Sequence, residues 1–583
     1  PNLSGELGVA FVRGVQENAD GSPTGVGACV KHFAANSQER FRMVSDSVVD
    51  EQALREIYFP AFERVVREAR PAAVMCSYNL VNGVYASENR WLLTDVLRGE
   101  WGFEGLVVSD WGATADRVKG LAAGLDLEMP GFGGYNTRRI MRAVRSGELA
   151  EEALDAAAER VAGLALTYAQ ARVARGNRNG RLAVQSGADA PESGMYERHH
   201  ALARRAAAKS AVLLKNERGL LPLAPGAKLA VIGEFAKKPR YQGAGSSLVN
   251  PTRLENAWDE IRKDCPDAVY ARGYDLADKK ADAPLSGAGS PSPRGSLGGN
   301  RSEVINKNSR NLINKAAAVA ADADIAVVFA GLPEGFESEG YDRSTLAMPR
   351  THDELIRAVC AANRNTVVVI QAGSPVDLSA AEDAAAILYA WLGGQAGGGA
   401  ISDILAGRVN PSGRLAETFP LRIEDTPCHG NFSTESRTVI YAEGALVGHR
   451  YYEAKGIPVA YPFGHGLSYG EAQRGGLGQS AATRTHPYNS SSNSPISDWR
   501  SGLRRPTISA NSTLGDIKRT PVGAVLYAVV RFALTFVYGT GASGRRMADS
   551  IVEETPLRTI SPMCGGLLPR GLMDFVVWLA NLS

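Results

Sequence analysis

Residues 105–113 read GLVVSDWGA, and this stretch indicates the fold class. A short run of apolar and β-branched residues, preceded by glycine and ending in polar side chains, predicts a buried strand with Asp110 at its carboxyl end. The same pattern predicts strands over 27–33 (GACVKHF), 72–78 (AAVMCSY) and 123–129 (AGLDLEM). Polar residues at the ends of such strands are typical of parallel sheets that carry a site at their carboxyl edge.

Helical periodicity separates these strands. Apolar residues three and four positions apart predict a long helix over 50–70, and further helices are predicted over 90–99 and 138–145. Strands that alternate with helices predict βα units around a parallel sheet. Because four units do not close a (β/α)8 barrel, which takes about 250 residues, we expect only the C-terminal half of a TIM-type barrel in residues 1–175.

A second α/β region follows over residues 201–470. Continuous apolar runs such as IAVVFAG and TVVVIQAG are typical of strands that are covered on both faces. These runs and their neighbours predict a helix over 351–363 and strands over 228–233, 324–331, 366–371 and 386–391. The chain is therefore expected to be an α/β protein with two domains.

Changes of composition mark the segments outside these domains. Residues 176–200 are predicted to be an interdomain linker, and residues 278–301, rich in Gly, Ser and Pro, a surface insertion. Residues 471–583 have little apolar periodicity and are expected to form an atypical, mostly disordered tail. The apolar run 522–538 is at the short limit for a membrane span and contains Arg531, so we expect no membrane-spanning helix.

The composition excludes several classes of function. The 583 residues include 64 Lys and Arg against 62 Asp and Glu, and a net charge of +2 gives no reason to expect nucleic acid or an anionic membrane as a partner. The six cysteines form no CxxC motif and no cluster with histidine, so neither a zinc site nor a disulfide framework is predicted. Glycine, at 63 residues, exceeds the usual share of about 7%, which indicates many tight turns.

Asp110 is the first candidate for chemistry. It follows the predicted strand and precedes Trp111 and two small residues, so its carboxylate would stand at the mouth of a parallel sheet beside an aromatic side chain. Such a position suits a nucleophile. The alternative is that Asp110 caps the helix that follows, and the strand position alone leaves both interpretations open.

The loop over 331–349, GLPEGFESEGYDRSTLAMP, is the second candidate. It follows an apolar strand and carries Glu334, Glu337 and Glu339. A general acid near neutral pH is a carboxyl group with a raised pKa, and a loop folded over a dry cleft can supply one. The alternative is an acidic loop that is simply solvated.

A third candidate is KHFAANSQERFR over residues 31–42, in which Lys31 and His32 end a predicted strand and Arg42 follows at short range. Fixed hydrogen-bond donors at a strand end suit recognition of neighbouring hydroxyl groups; the alternative is surface decoration. The sequence contains no GxSxG, Walker or HExxH motif, and the glycines of 393–399 lack the spacing of a dinucleotide site.

Together these motifs resemble those of glycoside hydrolase family 3, of the β-glucosidase and β-xylosidase type. The resemblance covers about Asn2 to Tyr469 and rests on motifs in the family's order: GACVKHFAANSQERFR, AVMCSYNLVNGVYAS, GLVVSDWGA, AAGLDLEMPG, KSAVLLKNERGLLPL, PRYQGAGSSLVNP, ESEGYDR, NPSGRLAETFP and YPFGHGLSY.

The resemblance implies a (β/α)8-type barrel followed by an α/β sandwich domain, with the active site between them and a retaining double-displacement mechanism. Asp110 matches the nucleophile and Glu339 the acid/base, with Glu337 as the alternative two residues away. The positions that match substrate-binding residues are Lys31, His32, Arg42, Tyr78 and Trp111, and Ser246 and Ser247 lie in a loop near the same cleft.

The resemblance also implies a substrate and no cofactor. The family's N-acetylhexosaminidase branch carries KHFPGHG where this chain has KHFAANSQE, which favours release of terminal non-reducing β-D-glucose from a small β-glucoside or an oligosaccharide such as cellobiose. No metal or organic cofactor is implied.

Two departures from the family oppose activity. Its early barrel strands, with an aspartate that holds sugar hydroxyls, have no counterpart here, and no fibronectin type III-like domain is recognisable in 471–583. We therefore expect an N-terminally truncated sequence. The alternative function is that of a catalytically incompetent fragment that at most binds sugar or a partner chain.

Overall fold

The computed structural model describes residues 1–131, 134–174, 194–276, 306–432, 436–469 and 512–518, with short stretches between 524 and 560. Within these residues the chain is an α/β protein with both parallel and mixed sheets. The strands are β1 (Cys29–Phe33), β2 (Asp46–Val48), β3 (Ala73–Cys76), β4 (Leu80–Val81), β5 (Val84–Tyr85), β6 (Leu106–Ser109), β7 (Val212–Asn216), β8 (Leu229–Ile232), β9 (Val269–Ala271), β10 (Ile325–Gly331), β11 (Thr366–Gln371), β12 (Ala386–Tyr389), β13 (Phe419–Pro420), β14 (Thr438–Ile440) and β15 (Val459–Tyr461).

The helices connect and cover these strands. The α-helices are α1 (Asn2–Gln16), α2 (Glu51–Ala53), α3 (Pro60–Ala69), α4 (Arg117–Ala123), α5 (Tyr135–Ser146), α6 (Glu151–Ala174), α7 (Met195–Ser210), α8 (Ala257–Asp264), α9 (Lys307–Ala321), α10 (Arg350–Ala362), α11 (Gly397–Leu405), α12 (His449–Lys455) and α13 (Leu514–Ile517). Two π-helical segments span Leu54–Tyr58 and Trp91–Glu100. Short 3₁₀ turns span Ala86–Glu88, Glu217–Gly219, Glu234–Ala236, Ser379–Ala381, Gly394–Ala396 and Ile423–Asp425.

The N-terminal region is built on a parallel sheet of three strands in the order β1-β3-β6. These strands lie inside the spans expected from sequence, and the described strands do not close a barrel. The expected fourth strand over 123–129 is wrong, because the chain there makes only an isolated parallel bridge between Leu127 and Val108. The buried Asp126 carboxylate accepts the Val107 N–H and pairs with two arginines, and Pro130 ends the extended run.

The predicted helix over 50–70 is interrupted. It consists of α2, a π-helical segment and α3, and Pro60 begins α3. Proline has no N–H to donate to the preceding turn, which accounts for the break there. Helix α1, which the sequence analysis did not predict, packs Val9 and Val12 against Val65 and Ala69 of α3.

The second region contains a mixed sheet of six strands in the order β7-β12-β11-β10-β8-β9. The runs predicted as strands form β8, β10, β11 and β12, which are parallel, whereas β7 adds antiparallel to β12. Every residue of β10 and β11 is buried, as expected for strands covered on both faces. Strands β7 and β9, which form the two edges of this sheet, were not predicted.

A strand from late in the chain joins the two regions. β14 pairs in parallel with β2, within a mixed sheet in the order β14-β2-β4-β5. The Tyr441 hydroxyl, just after β14, donates to the Ala35 carbonyl at 2.7 Å and accepts the Ser37 N–H at 3.2 Å. The second region is thereby anchored to the loop that follows β1.

Short stretches of the predicted tail are described, and they contain ordered, buried residues. Thr513 caps α13 through a capping box, and Leu514, Ile517, Val552 and Ile560 are buried. Residues 470–511 and 561–583 lie outside the described residues, as do the predicted insertion at 278–301 and residues 176–193 of the predicted linker. Helix α7 begins at Met195, inside the expected linker.

We find no helix long and apolar enough to cross a membrane among the residues that the structure describes. Most of the apolar run 522–538 lies outside those residues.

Candidate active site

Asp110 lies at the carboxyl end of β6, with 8% of its surface exposed. Its N–H donates to the Cys76 carbonyl on β3 at 3.2 Å, and its Oδ1 accepts the Trp111 N–H at 2.7 Å. The alternative role as a helix cap does not hold, because the side chain of Asp116 accepts the N–H groups that open α4. The Asp110 carboxylate is therefore available to contact side chains at the carboxyl edge of the sheet.

Two of those side chains are His32 and Tyr78. His32 Nε2 lies 3.2 Å from Asp110 Oδ2, and the Tyr78 hydroxyl donates to the Asp110 carboxylate. Burial lowers the pKa of His32, although the Asp110 charge opposes this shift, so the contact is a hydrogen bond from a neutral imidazole near neutral pH. Burial and then the Asp110 charge raise the pKa of Tyr78 well above its usual range, so the phenol remains a donor.

Glu339 approaches from the second region. It lies on the loop after β10, at the carboxyl edge of the six-stranded sheet and beside the point between β10 and β8 where the strand order reverses. In open α/β sheets, ligands bind in the crevice at such a reversal. Glu339 Oε1 pairs with Arg42 Nη2 at 3.0 Å, and Oε2 accepts the Ser246 N–H at 2.8 Å and the Ser246 hydroxyl.

These contacts fix the ionisation of Glu339. Burial by itself would raise its pKa, but the positive charge of Arg42 and the hydrogen bonds from Ser246 outweigh burial, and the pKa of Glu339 is lowered. In the structure Glu339 is thus a carboxylate. The Arg42 guanidinium also lies 4.9 Å from the centre of the Tyr78 ring. Arg42 therefore contacts both Glu339 and Tyr78, and Tyr78 is a hydrogen-bond donor to Asp110.

A set of contacts holds the two regions together around this pair. The Glu39 carboxylate pairs with Arg42 at 3.0 Å and accepts the Gly340 N–H at 2.8 Å. The Asp342 carboxylate accepts the N–H groups of Glu39 at 3.0 Å and Arg40 at 2.9 Å. The loop after β1 and the loop after β10 therefore each contribute a carboxylate that accepts hydrogen bonds from the backbone of the other.

The structure brings Asp110 and Glu339 to the same group of side chains. Both carboxylates are close enough to influence the pKa values of Tyr78 and His32. Glu337 points elsewhere: its carboxylate accepts the Gly373 N–H at 2.6 Å and the Ser374 hydroxyl at 3.0 Å.

The remaining candidates differ in their placement. Trp111, which follows Asp110, is 47% exposed, and Lys31, which precedes His32 on β1, is exposed as well. Ser246 contacts Glu339, whereas the Ser247 hydroxyl lies beside Gly243 of its own loop. Among the described residues, the structure gives Ser247 no contact with either carboxylate.

Several residues of the site were not singled out from sequence. Asp342 and Glu39 act through backbone groups that are some 300 positions away, so no local spacing reveals them. Glu554, from the tail, accepts the Phe41 N–H, and burial raises the pKa of this carboxyl to about 8. A tail with little apolar periodicity gave no signal for such a contact.

Metal-binding chemistry has no support in the described ranges, where no three His, Cys, Asp or Glu side chains converge as ligands. The cysteines described there, namely Cys29, Cys76, Cys265, Cys360 and Cys428, are free thiols.

Comparisons with known proteins agree with these motifs. The sequence profile described as Glycosyl hydrolase family 3 N terminal domain matches residues 1–164, and the one described as Glycosyl hydrolase family 3 C-terminal domain matches residues 211–469. The chain is 47% identical to thermostable beta-glucosidase B of Acetivibrio thermocellus over 80% of this chain and 56% of that protein. It is 42% identical to an exo-alpha-(1->6)-L-arabinopyranosidase of Bifidobacterium breve, over 80% of this chain and 57% of that protein.

A solved structure gives the same result. The GH3 beta-glucosidase of Bifidobacterium adolescentis superposes with a TM-score of 0.67 and 43% sequence identity, over 79% of this chain and 60% of that one. The chain thus spans little more than half the length of these two curated relatives.

Proposed function

Because this chain belongs to glycosyl hydrolase family 3, we propose that it is a retaining glycosidase that acts on β-glucosides, with Asp110 as nucleophile and Glu339 as acid/base. The observation that carries the proposal is a series of contacts that links these two carboxylates, which come from different regions of the chain. Tyr78 donates to Asp110, and the Arg42 guanidinium lies 4.9 Å from the centre of the Tyr78 ring and 3.0 Å from Glu339. No other pair of the sequence-predicted carboxylates meets in this way within the described residues.

In the first step Asp110 would attack the anomeric carbon. The bond from C1 to the leaving oxygen breaks as the bond from C1 to the Asp110 oxygen forms, and Glu339 gives its proton to the leaving oxygen. The donors that Asp110 already accepts, from His32 and the Trp111 N–H, hold the carboxylate in place without protonating it.

In the second step water would attack C1 while Glu339 takes its proton, and the bond to Asp110 breaks to release glucose with the original configuration. This step requires Glu339 as a carboxylate, which is the form that Arg42 and Ser246 favour. The first step requires the acid form. We infer that sugar hydroxyls accept the Arg42 donors on binding, which would raise the pKa of Glu339 for protonation of the leaving group.

The other matched residues would bind the sugar. Lys31 would donate to a hydroxyl group, and His32, whose single N–H is given to Asp110, would accept a hydroxyl hydrogen at Nδ1. Trp111, which is 47% exposed, would offer an aromatic face to the aglycone side. Ser246 would position Glu339, and the contacts of Ser247 support a role in the loop only. The substrate we propose is a small β-glucoside or an oligosaccharide such as cellobiose, and no cofactor is needed.

For the architecture, we propose that residues 1–175 correspond to part of a (β/α)8 barrel, that 176–200 connect the domains, and that 201–470 form the α/β sandwich domain. The parallel order β1-β3-β6 and the six-stranded sheet of the second region support this division.

The test is covalent trapping. A 2-deoxy-2-fluoro-β-glucoside with a good leaving group should add one fluoroglucosyl unit to the full chain, and peptide mass spectrometry should locate it on Asp110. Asp110→Ala should trap nothing. Labelling of another carboxylate would remove Asp110 from the role, and absence of any labelling would refute the activity of this chain.

Glu339 is tested by its leaving-group dependence. Glu339→Ala should slow β-glucosides with poor leaving groups far more than activated aryl β-glucosides, and azide should accelerate the variant by replacing activated water. Glu337→Ala is the matched control and should leave that dependence unchanged. An aryl α-L-arabinopyranoside, tested beside the glucoside, addresses the specificity of the Bifidobacterium relative.

A second candidate function is binding without hydrolysis. It is favoured by the sheet that carries Asp110, because its three described strands do not close a barrel. In that case the chain would bind glucose, form no covalent adduct and show no turnover of either aryl glycoside.

A further inference from the structure

The loop that carries Ser246 to Glu339 also lines a separate cavity of about 380 Å³. Its lining includes Tyr196, Tyr241, Gln242, Asn250, Thr252 and Gln395, and neither catalytic candidate belongs to it. The volume falls within the range of roughly 300–1,000 Å³ that is common for small-molecule sites.

The floor of the cavity is held rigidly. Gln395 Nε2 contacts His200 Nδ1 at 2.8 Å, and His200 Nε2 contacts Glu255 Oε1 at 2.7 Å. His200 and Glu255 are buried, and the Glu255 N–H donates to the Gln395 carbonyl at 2.9 Å. This relay orients the Gln395 amide, and no described residue donates to its side-chain oxygen, which leaves an acceptor in place for a ligand.

The wall of the cavity is also fixed before any ligand binds. The Gln242 amide closes the loop, since it donates to the Val249 carbonyl at 3.0 Å and accepts the Val249 N–H at 3.1 Å. The Gly394 N–H donates to the Tyr241 carbonyl at 2.8 Å and joins wall and floor. Tyr196, by contrast, lines the cavity with half of its surface exposed.

The chemistry of the lining selects a class of ligand. None of the ten lining residues is Asp, Glu, Lys or Arg, so the cavity offers no carboxylate to an ammonium group and no permanent cation to a phosphate or a carboxylate; His199 is the one lining side chain that can become cationic. It offers two phenol rings together with amide and hydroxyl groups that both donate and accept. Aromatic faces pack against the C–H face of a pyranose ring, and neutral amides pair with its hydroxyl groups.

We propose that this cavity is a second, non-catalytic binding site for a neutral saccharide, with Tyr196 as the stacking residue and Asn250 and Gln395 as hydroxyl-binding residues. The site goes beyond the proposed hydrolysis and does not depend on it. Two sources share this chemistry: the distal units of an oligosaccharide whose other end occupies the cleft, or an independent saccharide.

The test is calorimetric titration of the full chain carrying Asp110→Ala, which prevents turnover, with glucose, cellobiose and cellotetraose. Adding Tyr196→Ala or Asn250→Ala should raise the dissociation constant of the saccharide about tenfold or more. Leu248→Ala is the matched control, because Leu248 is on the same loop and 51% exposed but does not line the cavity. Its dissociation constant should stay within about twofold of the parent. Unchanged circular dichroism and melting confirm that each variant folds.

Arg42→Ala distinguishes the two sources. If one oligosaccharide spans both sites, Arg42→Ala raises the dissociation constant of the same cellotetraose binding event that Tyr196→Ala weakens. If the saccharide binds the cavity independently, the binding event that Arg42→Ala removes is one that Tyr196→Ala leaves unchanged. The proposal is overturned if no saccharide binds, if the Tyr196 and Asn250 variants bind as tightly as the parent, or if glucuronate binds more tightly than glucose. None of these outcomes depends on whether the chain hydrolyses glycosides.

Discussion

The contact between Arg42 and Glu339 should couple the two regions of the chain energetically. The two side chains are 3.0 Å apart and only 14% and 25% exposed. At an effective dielectric constant of about 20, unit charges at this distance attract by about 5 to 6 kcal/mol. Desolvation offsets most of that attraction, so we expect a net coupling of about 1 to 3 kcal/mol.

A double-mutant cycle measures this coupling. Arg42→Ala, Glu339→Ala and the double variant would be unfolded in urea and followed by both circular dichroism and tryptophan fluorescence. The Arg42→Ala variant alone should lose more than the coupling energy, because it also removes the partner of Glu39. The cycle cancels that additional loss, since Glu39 is present in every variant.

An exposed pair supplies the control. Arg55 and Glu100 are 40% and 42% exposed and are joined at 2.8 Å, yet solvent should reduce their coupling to about 1 kcal/mol or less. A coupling for Arg42 and Glu339 below about 0.5 kcal/mol, or below that of the control pair, would refute the claim that this contact joins the regions. As a second readout, Arg42→Ala should raise the pKa of Glu339, measured by carbon-13 NMR of labelled glutamate, because the charge that lowers it is removed.

Two further outcomes are expected. Gly331→Ala should destabilise the second region by about 3 kcal/mol or more, because Gly331 has φ of 143° and a Cβ there would lie 2.0 Å from the Gln371 carbonyl oxygen. Urea unfolding measures this loss. Gly163→Ala on α6 is the control that should be tolerated, because a Cβ at Gly163 meets no atom within 4 Å. Burial raises the pKa of Glu554 from its ordinary 4.5 to about 8. The contribution of Glu554 to the free energy of tail docking is therefore fully present below pH 4.5 and is lost as the pH rises through 8. At 1.36 kcal/mol per pH unit, this contribution has an upper bound of about 5 kcal/mol. Proteolysis of the tail should therefore accelerate between pH 5 and 9, and Glu554→Gln should abolish that pH dependence.

The sequence was most informative where local pattern and burial coincide. The runs that form β10 and β11 are apolar throughout because both faces are covered, and their predicted spans match the structure to within a residue. Residues 123–129 carry a similar apolar pattern, but Asp126 turns inward to two arginines and takes the chain out of the sheet. A charge that is satisfied by distant partners cannot be recognised from the strand that contains it.

The site shows the same division between local and distant information. The placement of Asp110 at a strand end followed from sequence, and the structure excludes its role as a helix cap because Asp116 makes the capping contacts. The nucleophile role stays a proposal. The choice between Glu337 and Glu339 could not come from a loop in which both are acidic. It depends on the partner of Glu337, whose carboxylate accepts the Gly373 N–H within the second region.

Docking of the two regions and ionisation of Glu339, the proposed acid/base, are coupled through a single side chain, Arg42. Arg42 joins the regions through Glu339 and, by the same contact, keeps Glu339 in its carboxylate form. Any change that separates the loops would therefore raise the pKa of Glu339 as it weakens the interface, since the burial that remains favours the neutral acid. A ligand that accepts the Arg42 N–H groups in place of Glu339 would likewise raise the pKa of Glu339. The hydrogen bonds from the backbone of residues 39–40 to the Asp342 carboxylate would remain. Because Asp342 and Glu39 also connect the loops, Arg42 could exchange Glu339 for a ligand, and the pKa of Glu339 would change while part of the interface remains.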